Sequence, residues 1–138
     1  MTAPLYPLTV PNAQAFMLAH LAPLGPCGLI RKEIEPAPIF RQVNRIDGAD
    51  DLNEQCDRAI LSVHTFAKDP SEAIRQGDIT HRRILLLDSE LFDVPMAGGI
   101  VNADWLDVQQ YPALRDYKAD NVFRVKAVYE LSLSYVIA

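Results

Sequence analysis

Phe123, Val125, Ala127, Tyr129, Leu131, Leu133, Tyr135 and Ile137 are apolar at every second position, with Arg124, Lys126, Val128, Glu130, Ser132 and Ser134 between them. A period of two places alternate side chains on opposite faces of a strand. The segment therefore reads as one long antiparallel strand, with one face on a core and the other wetter. Tyr129 and Leu131 are expected to be buried, and Lys126 and Glu130 exposed. At about 3.4 Å per residue the strand would run roughly 50 Å. It must then bend or project beyond its neighbours. A strand that long leaves backbone groups unpaired along an edge, and a second subunit could satisfy them.

The stretch RAILSVHTFAKDPSEA, Arg58 to Ala73, holds Ser62, His64 and Asp69 within eight positions. These are the residue types of a hydrolase site. As a strand, it puts Ala59, Leu61, Val63, Thr65 and Ala67 on one face and Arg58, Ile60, Ser62, His64 and Phe66 on the other. Ser62 and His64 then stand about 7 Å apart along the backbone, beyond the hydrogen bond that a nucleophile and base need. No GxSxG elbow is present. Asp69 reads as a helix N-cap, with Pro70 at the first helical position and Glu72 completing a capping-box pattern. The helix that follows, through Asp88, carries Ala73, Gly77, Thr80, Ile84 and Leu87 along one side. A glycine there costs about 1 kcal/mol against alanine in an exposed helix, so Gly77 signals close packing against a sheet.

Upstream, Pro4, Pro7 and Pro11 make the start extended or turn-like. Asn12 caps a helix over Ala13–Leu21, with Ala15, Leu18, Ala19 and Ala22 as its apolar stripe. Pro23 and Gly25-Pro26 end it. Pro36 and Pro38 confine the next strand to Ile39–Ile46. Asp47-Gly48 reads as a turn, and the following ADDLNEQCD as a polar connector. Beyond the second helix, FDVPMAGG reads as a loop, GIVNADWLDVQQ as a strand and YPALRDYKADN as another loop. The order helix, strand, strand, helix, strand, strand gives an α+β fold: one antiparallel sheet with helices on one face, forming a single domain over residues 1–138.

Composition narrows the function classes. Thirteen Lys and Arg against eighteen Asp and Glu give a net charge of −5, which argues against broad phosphate neutralisation on nucleic acid. No apolar run approaches the roughly 20 residues of a membrane helix. No signal peptide is expected. Cys27 and Cys56 read as free thiols in separate connectors. His20, His64 and His81 lack the spacing of a metal site, and His20 reads as a surface or boundary residue. Asp50-Asp51 and Asp104/Asp107 read as solvated positions. Gly98-Gly99 precede a strand, whereas phosphate loops follow one. No catalytic residue, cofactor or metal is expected. Trp105, Arg82, Arg83 and Tyr117 are candidates for a subunit interface, where large aromatic residues and Arg concentrate binding energy.

DRAILSVHTFAKDPSEAIRQGDITHRRILLL (Asp57–Leu87) and YPALRDYKADNVFRVKAVYELSLSYV together resemble the tail terminator proteins of long-tailed bacteriophages, closest to those of actinobacterial phages. The shared features are a strand of small and β-branched residues ending in an aromatic, and a helix with Ala73 near its start and His81-Arg82-Arg83 near its end. A Pro-containing loop and the alternating final strand complete them. The resemblance implies a non-enzymatic virion protein with an α+β fold, forming a ring, hexameric by analogy. Such a ring caps the tail tube, stops its polymerisation and joins it to the head-side connector, while DNA passes through the lumen. Its implied partners are copies of itself, the tail tube protein and a connector or head-closure protein. Another neck protein, or a small α+β ligand-binding domain or enzyme, remains an alternative.

Overall fold

The computed structural model describes residues 3–31, 38–89, 92–116 and 122–137. In chain order the elements are β1 (Leu8–Thr9), α1 (Ala13–Leu21), β2 (Cys27–Gly28), β3 (Phe40–Asp51), β4 (Cys56–Ala67), α2 (Pro70–Leu85), β5 (Val94–Met96), β6 (Gly99–Val101), β7 (Trp105–Arg115), β8 (Phe123–Ser134) and β9 (Val136–Ile137). A 3₁₀ turn extends each helix, at Ala22–Leu24 and Leu86–Asp88. The main sheet runs β2-β3-β4-β8-β7, antiparallel except for the short parallel β2–β3 pair. β1 pairs with β9, and β5 with β6. The fold is α+β, with both helices packed on the sheet.

The final alternation builds β8, a central strand rather than an edge. It pairs with β4 without a break from Cys56–Ser134 to Ala67–Phe123. Val125, Ala127, Tyr129, Leu131 and Leu133 are buried. Lys126 and Glu130, expected to be exposed, are half-buried, because neighbouring strands flank them on both sides. The expected length is not reached. The main strand ends at Ser134, and Val136–Ile137 turn to β1, leaving Ile137 exposed instead of on the core.

α1 begins where Asn12 predicts, its side chain accepting from the Ala15 N–H at 3.0 Å. Its buried face is Ala13, Phe16, Met17, His20 and Leu21, not the expected alanine stripe. Phe16, Met17 and Leu21 remove more apolar surface from water than alanines can. In α2, Asp69 Oδ1 accepts the Glu72 N–H at 2.8 Å. The Glu72 carboxylate turns to Arg75 and Gln76. Ala73, Gly77, Thr80, Ile84 and Leu87 are all buried. A Cβ on Gly77 would sit 2.6 Å from Val125 Cγ1, so the glycine sets how closely α2 approaches the sheet.

Three breaks inferred from sequence fall elsewhere. Asp47-Gly48 does not turn the chain. β3 runs through it with a bulge between Arg45 and Asp47, where Gly48 takes φ +116°. The reversal comes at Leu52–Gln55, where Asp51 Oδ1 accepts the N–H groups of Asn53 and Glu54. FDVPMAGG contains β5 and opens a hairpin, so GIVNADWLDVQQ divides between β6 and β7. Tyr111–Arg115, expected in a loop, continue β7. Pro112 is tolerated there because β7 lies at the sheet edge and its register shifts between Gln110 and Ala113. Cys27 and Cys56 open strands instead of lying in connectors, and both are free.

Leu131→Ala removes a fully buried side chain and should cost about 2–5 kcal/mol. Gly77→Ala gains about 1 kcal/mol of helix propensity, yet overpacking against Val125 should outweigh it, at about 1–3 kcal/mol. Urea unfolding measures both, and a stabilised Gly77→Ala protein would show that α2 does not sit this close.

Candidate functional site

Ser62 and His64 do meet. Ser62 Oγ lies 3.2 Å from His64 Nε2, both side chains being buried. The backbone separation expected from strand geometry is overcome because same-face side chains lean toward each other. His64 stacks beside Phe66. Burial, with Arg124 and Lys126 nearby, lowers its pKa to about 4, so the ring is neutral at pH 7. Its Nδ1 has no hydrogen-bond partner among the described residues. That is the position where a catalytic triad places its orienting carboxylate, and Asp69 is engaged as the α2 cap. The pair is a nucleophile type and a base type in contact, without the third member.

The other histidines are also internal. His20, expected at the surface or its boundary, is almost fully buried. Its Nε2–H donates to the Arg83 carbonyl at 2.6 Å, and Arg83 Nε returns a bond to the His20 carbonyl at 2.9 Å. His81 Nδ1 lies 2.6 Å from the Tyr129 hydroxyl. Burial lowers the pKa of both imidazoles and raises that of Tyr129. Sequence reasoning missed a further buried group, Arg41. Its guanidinium donates to Thr80 Oγ1 at 2.7 Å and Gln76 Oε1 at 2.8 Å, tying β3 to α2. The only advance sign was Thr80 on the packed side of the helix.

The interface candidates separate. Trp105, 37% exposed at the start of β7, stands opposite Ser132, on the sheet face away from the helices. Arg82 is exposed on α2. Arg83 ties the helices together through His20 and lies over the Phe92 ring at 5.6 Å. Tyr117 lies outside the described residues. The structure does not bring Trp105 to the arginines.

The main surface feature was not legible in the sequence. At the sheet end where β8 stops, a cleft of about 840 Å³ opens between the β1–β9 ribbon, the turn at Leu86–Asp88 and the β5–β6 hairpin. Val10, Met96, Ile100, Val101 and Val136 supply apolar walls, and Asp88, Asn102 and Asp104 polar points. Gly99, at φ +128°, allows the hairpin that forms one wall. Asp104 accepts from Ser132 Oγ at 2.9 Å and Ser134 Oγ at 2.7 Å. Leu5, Tyr6, Ile100, Val136 and Ile137 are all more than half exposed. Tyr6 packs edge-on against Tyr135, whose hydroxyl donates to Asp50 at 2.6 Å. Among the described residues no cluster of His, Cys, Asp and Glu could hold a metal, and no helix is long and apolar enough to cross a membrane. Compared with models of protein families and with curated proteins, the chain matches none.

His64 gives the site its pH signature. Its folded pKa lies below the ordinary 6.5, so the unfolded chain binds more protons between the two values. Its contribution is complete above about 6.5 and declines as pH falls toward about 4; His20 and His81 act in the same direction. Denaturation across that range should show falling stability, with a shallower decline in His64→Gln. An identical decline in the variant would place the proton uptake elsewhere.

Proposed function

We propose that this protein is a non-enzymatic virion component of a long-tailed bacteriophage. It closes into a ring, six copies on a six-fold tube, that caps the tail tube, stops tube polymerisation and joins the head-side connector. The sequence resemblance over Asp57–Leu87 and the C-terminal region suggests the reading. The observation that carries it is the open cleft at the sheet end, with Ile100 and Val136 on its walls at 66% and 53% exposure. Clustered exposed apolar surface marks contact sites. A ring subunit needs such contacts for its neighbour and for the tube. Heterologous contacts repeated about an axis close when the rotation permits.

The partners in this reading are further copies of the chain, the tail tube protein and a connector or head-closure protein. DNA passes through the lumen without specific binding, and a net charge of −5 lowers adhesion to it. The protein is assembled in the host cytoplasm and ends in the virion neck. Particles made with its gene silenced should carry tails of uncontrolled length that fail to join filled heads. Tails of normal length joined to heads would refute the proposal. Tails of correct length lacking only heads would favour another neck protein.

The cleft favours a second reading, a ligand-binding or enzymatic α+β domain, since small-molecule pockets run roughly 300–1,000 Å³. Ser62 with His64 is a nucleophile–base contact that such an enzyme could use, although neither residue lines the cleft. A fluorophosphonate probe should leave Ser62 unlabelled if the structural reading holds. Labelling that disappears in His64→Ala would establish the enzyme instead.

A further inference from the structure

The cleft at the sheet end has a chemistry of its own. Its walls are largely apolar, with Val10, Met96, Ile100 and Val136 around a space of about 840 Å³. Apolar clefts of that size with a few polar groups are the usual form of a small-molecule site. Asp88 and Asp104 also line it, and the described residues around it include no Lys, Arg or His. We propose that the cleft binds a small organic cation, an apolar body carrying one protonated amine, with the amine at Asp88. This deepens the ligand-binding reading of the cleft and rests on it.

The charge of the ligand follows from three features. Asp104 takes the Ser134 hydroxyl on Oδ1 and the Ser132 hydroxyl on Oδ2, so its carboxylate is held in place by neutral groups and keeps its charge. Asp88 makes no side-chain hydrogen bond or ion pair among the described residues. An anion in the cleft would face both carboxylates, whereas an amine would pair with one. The second feature is the helix. α2 passes directly into the 3₁₀ turn, so one helical run from Pro70 ends at Asp88, on the cleft. The C-terminal end of a helix carries partial negative charge and favours a cation. A carboxylate is disfavoured there, and a cation in the cleft would relieve it. The third feature is where the basic residues of that last turn lie. Arg83 turns to the His20 carbonyl and the Phe92 ring, and Arg82 does not line the cleft.

The walls set the rest of the ligand. A hydrated inorganic ion would leave Ile100 and Val136 wet, whereas an alkyl or aromatic body takes their surface out of water. Excluding water beside Asp88 also strengthens the ion pair. Among the described residues no cluster could hold a metal ion, which leaves an organic cation. Tail capping requires no ligand, so a failure of that reading leaves this proposal standing.

The test titrates the isotope-labelled full chain with hexylammonium, hexanol and hexanoate, followed by NMR, so that one apolar body carries three head charges. Hexylammonium should give saturable shifts at Val101, Asn102 and Ala103. It should bind about tenfold more tightly than hexanol, as a charge-assisted hydrogen bond provides, and hexanoate should bind most weakly. Asp88→Asn keeps the shape of an exposed side chain. It should bring hexylammonium down to the affinity of hexanol and leave hexanol unchanged. Equal binding of the three probes, or an amine preference that survives Asp88→Asn, would overturn the proposal while leaving the cleft a ligand site. No saturable shift at the cleft with any probe would overturn both.

Discussion

The unbroken β4–β8 ladder organises this molecule. Twelve residues of each strand pair without a shift, from Cys56–Ser134 to Ala67–Phe123. The register shifts of the main sheet lie outside it, at Arg45/Asp47 in β3 and on both sides of Gln110 in β7. The centre is regular because alternating apolar residues face the same core from both strands, and a slip by one would turn every side chain to the wrong face. The helices take their places from that face. α1 brings Phe16, Met17 and Leu21 into one cluster with Leu61, Val63, Tyr129 and Leu131. α2 settles where Gly77 meets Val125, and Arg41 holds it from β3.

What the sequence made legible follows from the same division. The central strand and α2 were readable because period and capping agreed: alternation through Phe123–Leu133, Asp69 with Pro70, and the buried side from Ala73 to Leu87. The margins were not. Asp47-Gly48 has turn chemistry, yet β4 offers a partner that lets the strand continue through a bulge. Pro112 breaks a central strand but not an edge, and sequence alone did not say which strand was the edge. α1 is apolar nearly all round, so spacing could not choose between its alanines and the larger Phe16, Met17 and Leu21.

The candidate site was less readable than the fold. Spacing correctly put Ser62 and His64 on one face, but Cα geometry understated how far side chains lean, and the two touch at 3.2 Å. His20 gave no sign of burial because its partner, the Arg83 carbonyl, is a backbone group 63 residues away. The cleft has contributors from Thr9 to Val136, and no local pattern marks such an assembly. Only Trp105, set between Asp104 and Asp107, hinted at a functional margin.

Several polar groups of the interior are paired: Ser62 with His64, His81 with Tyr129, His20 with Arg83, and Arg41 with Thr80. A buried polar group left unpaired costs about 1–3 kcal/mol, so these pairings are required by burial whether or not any reaction occurs. Some apolar groups nevertheless stay outside the core, among them Ile100 on the cleft wall and Ile137 in β9. Their exposure is unfavourable in a lone chain, and contact with another surface would relieve it.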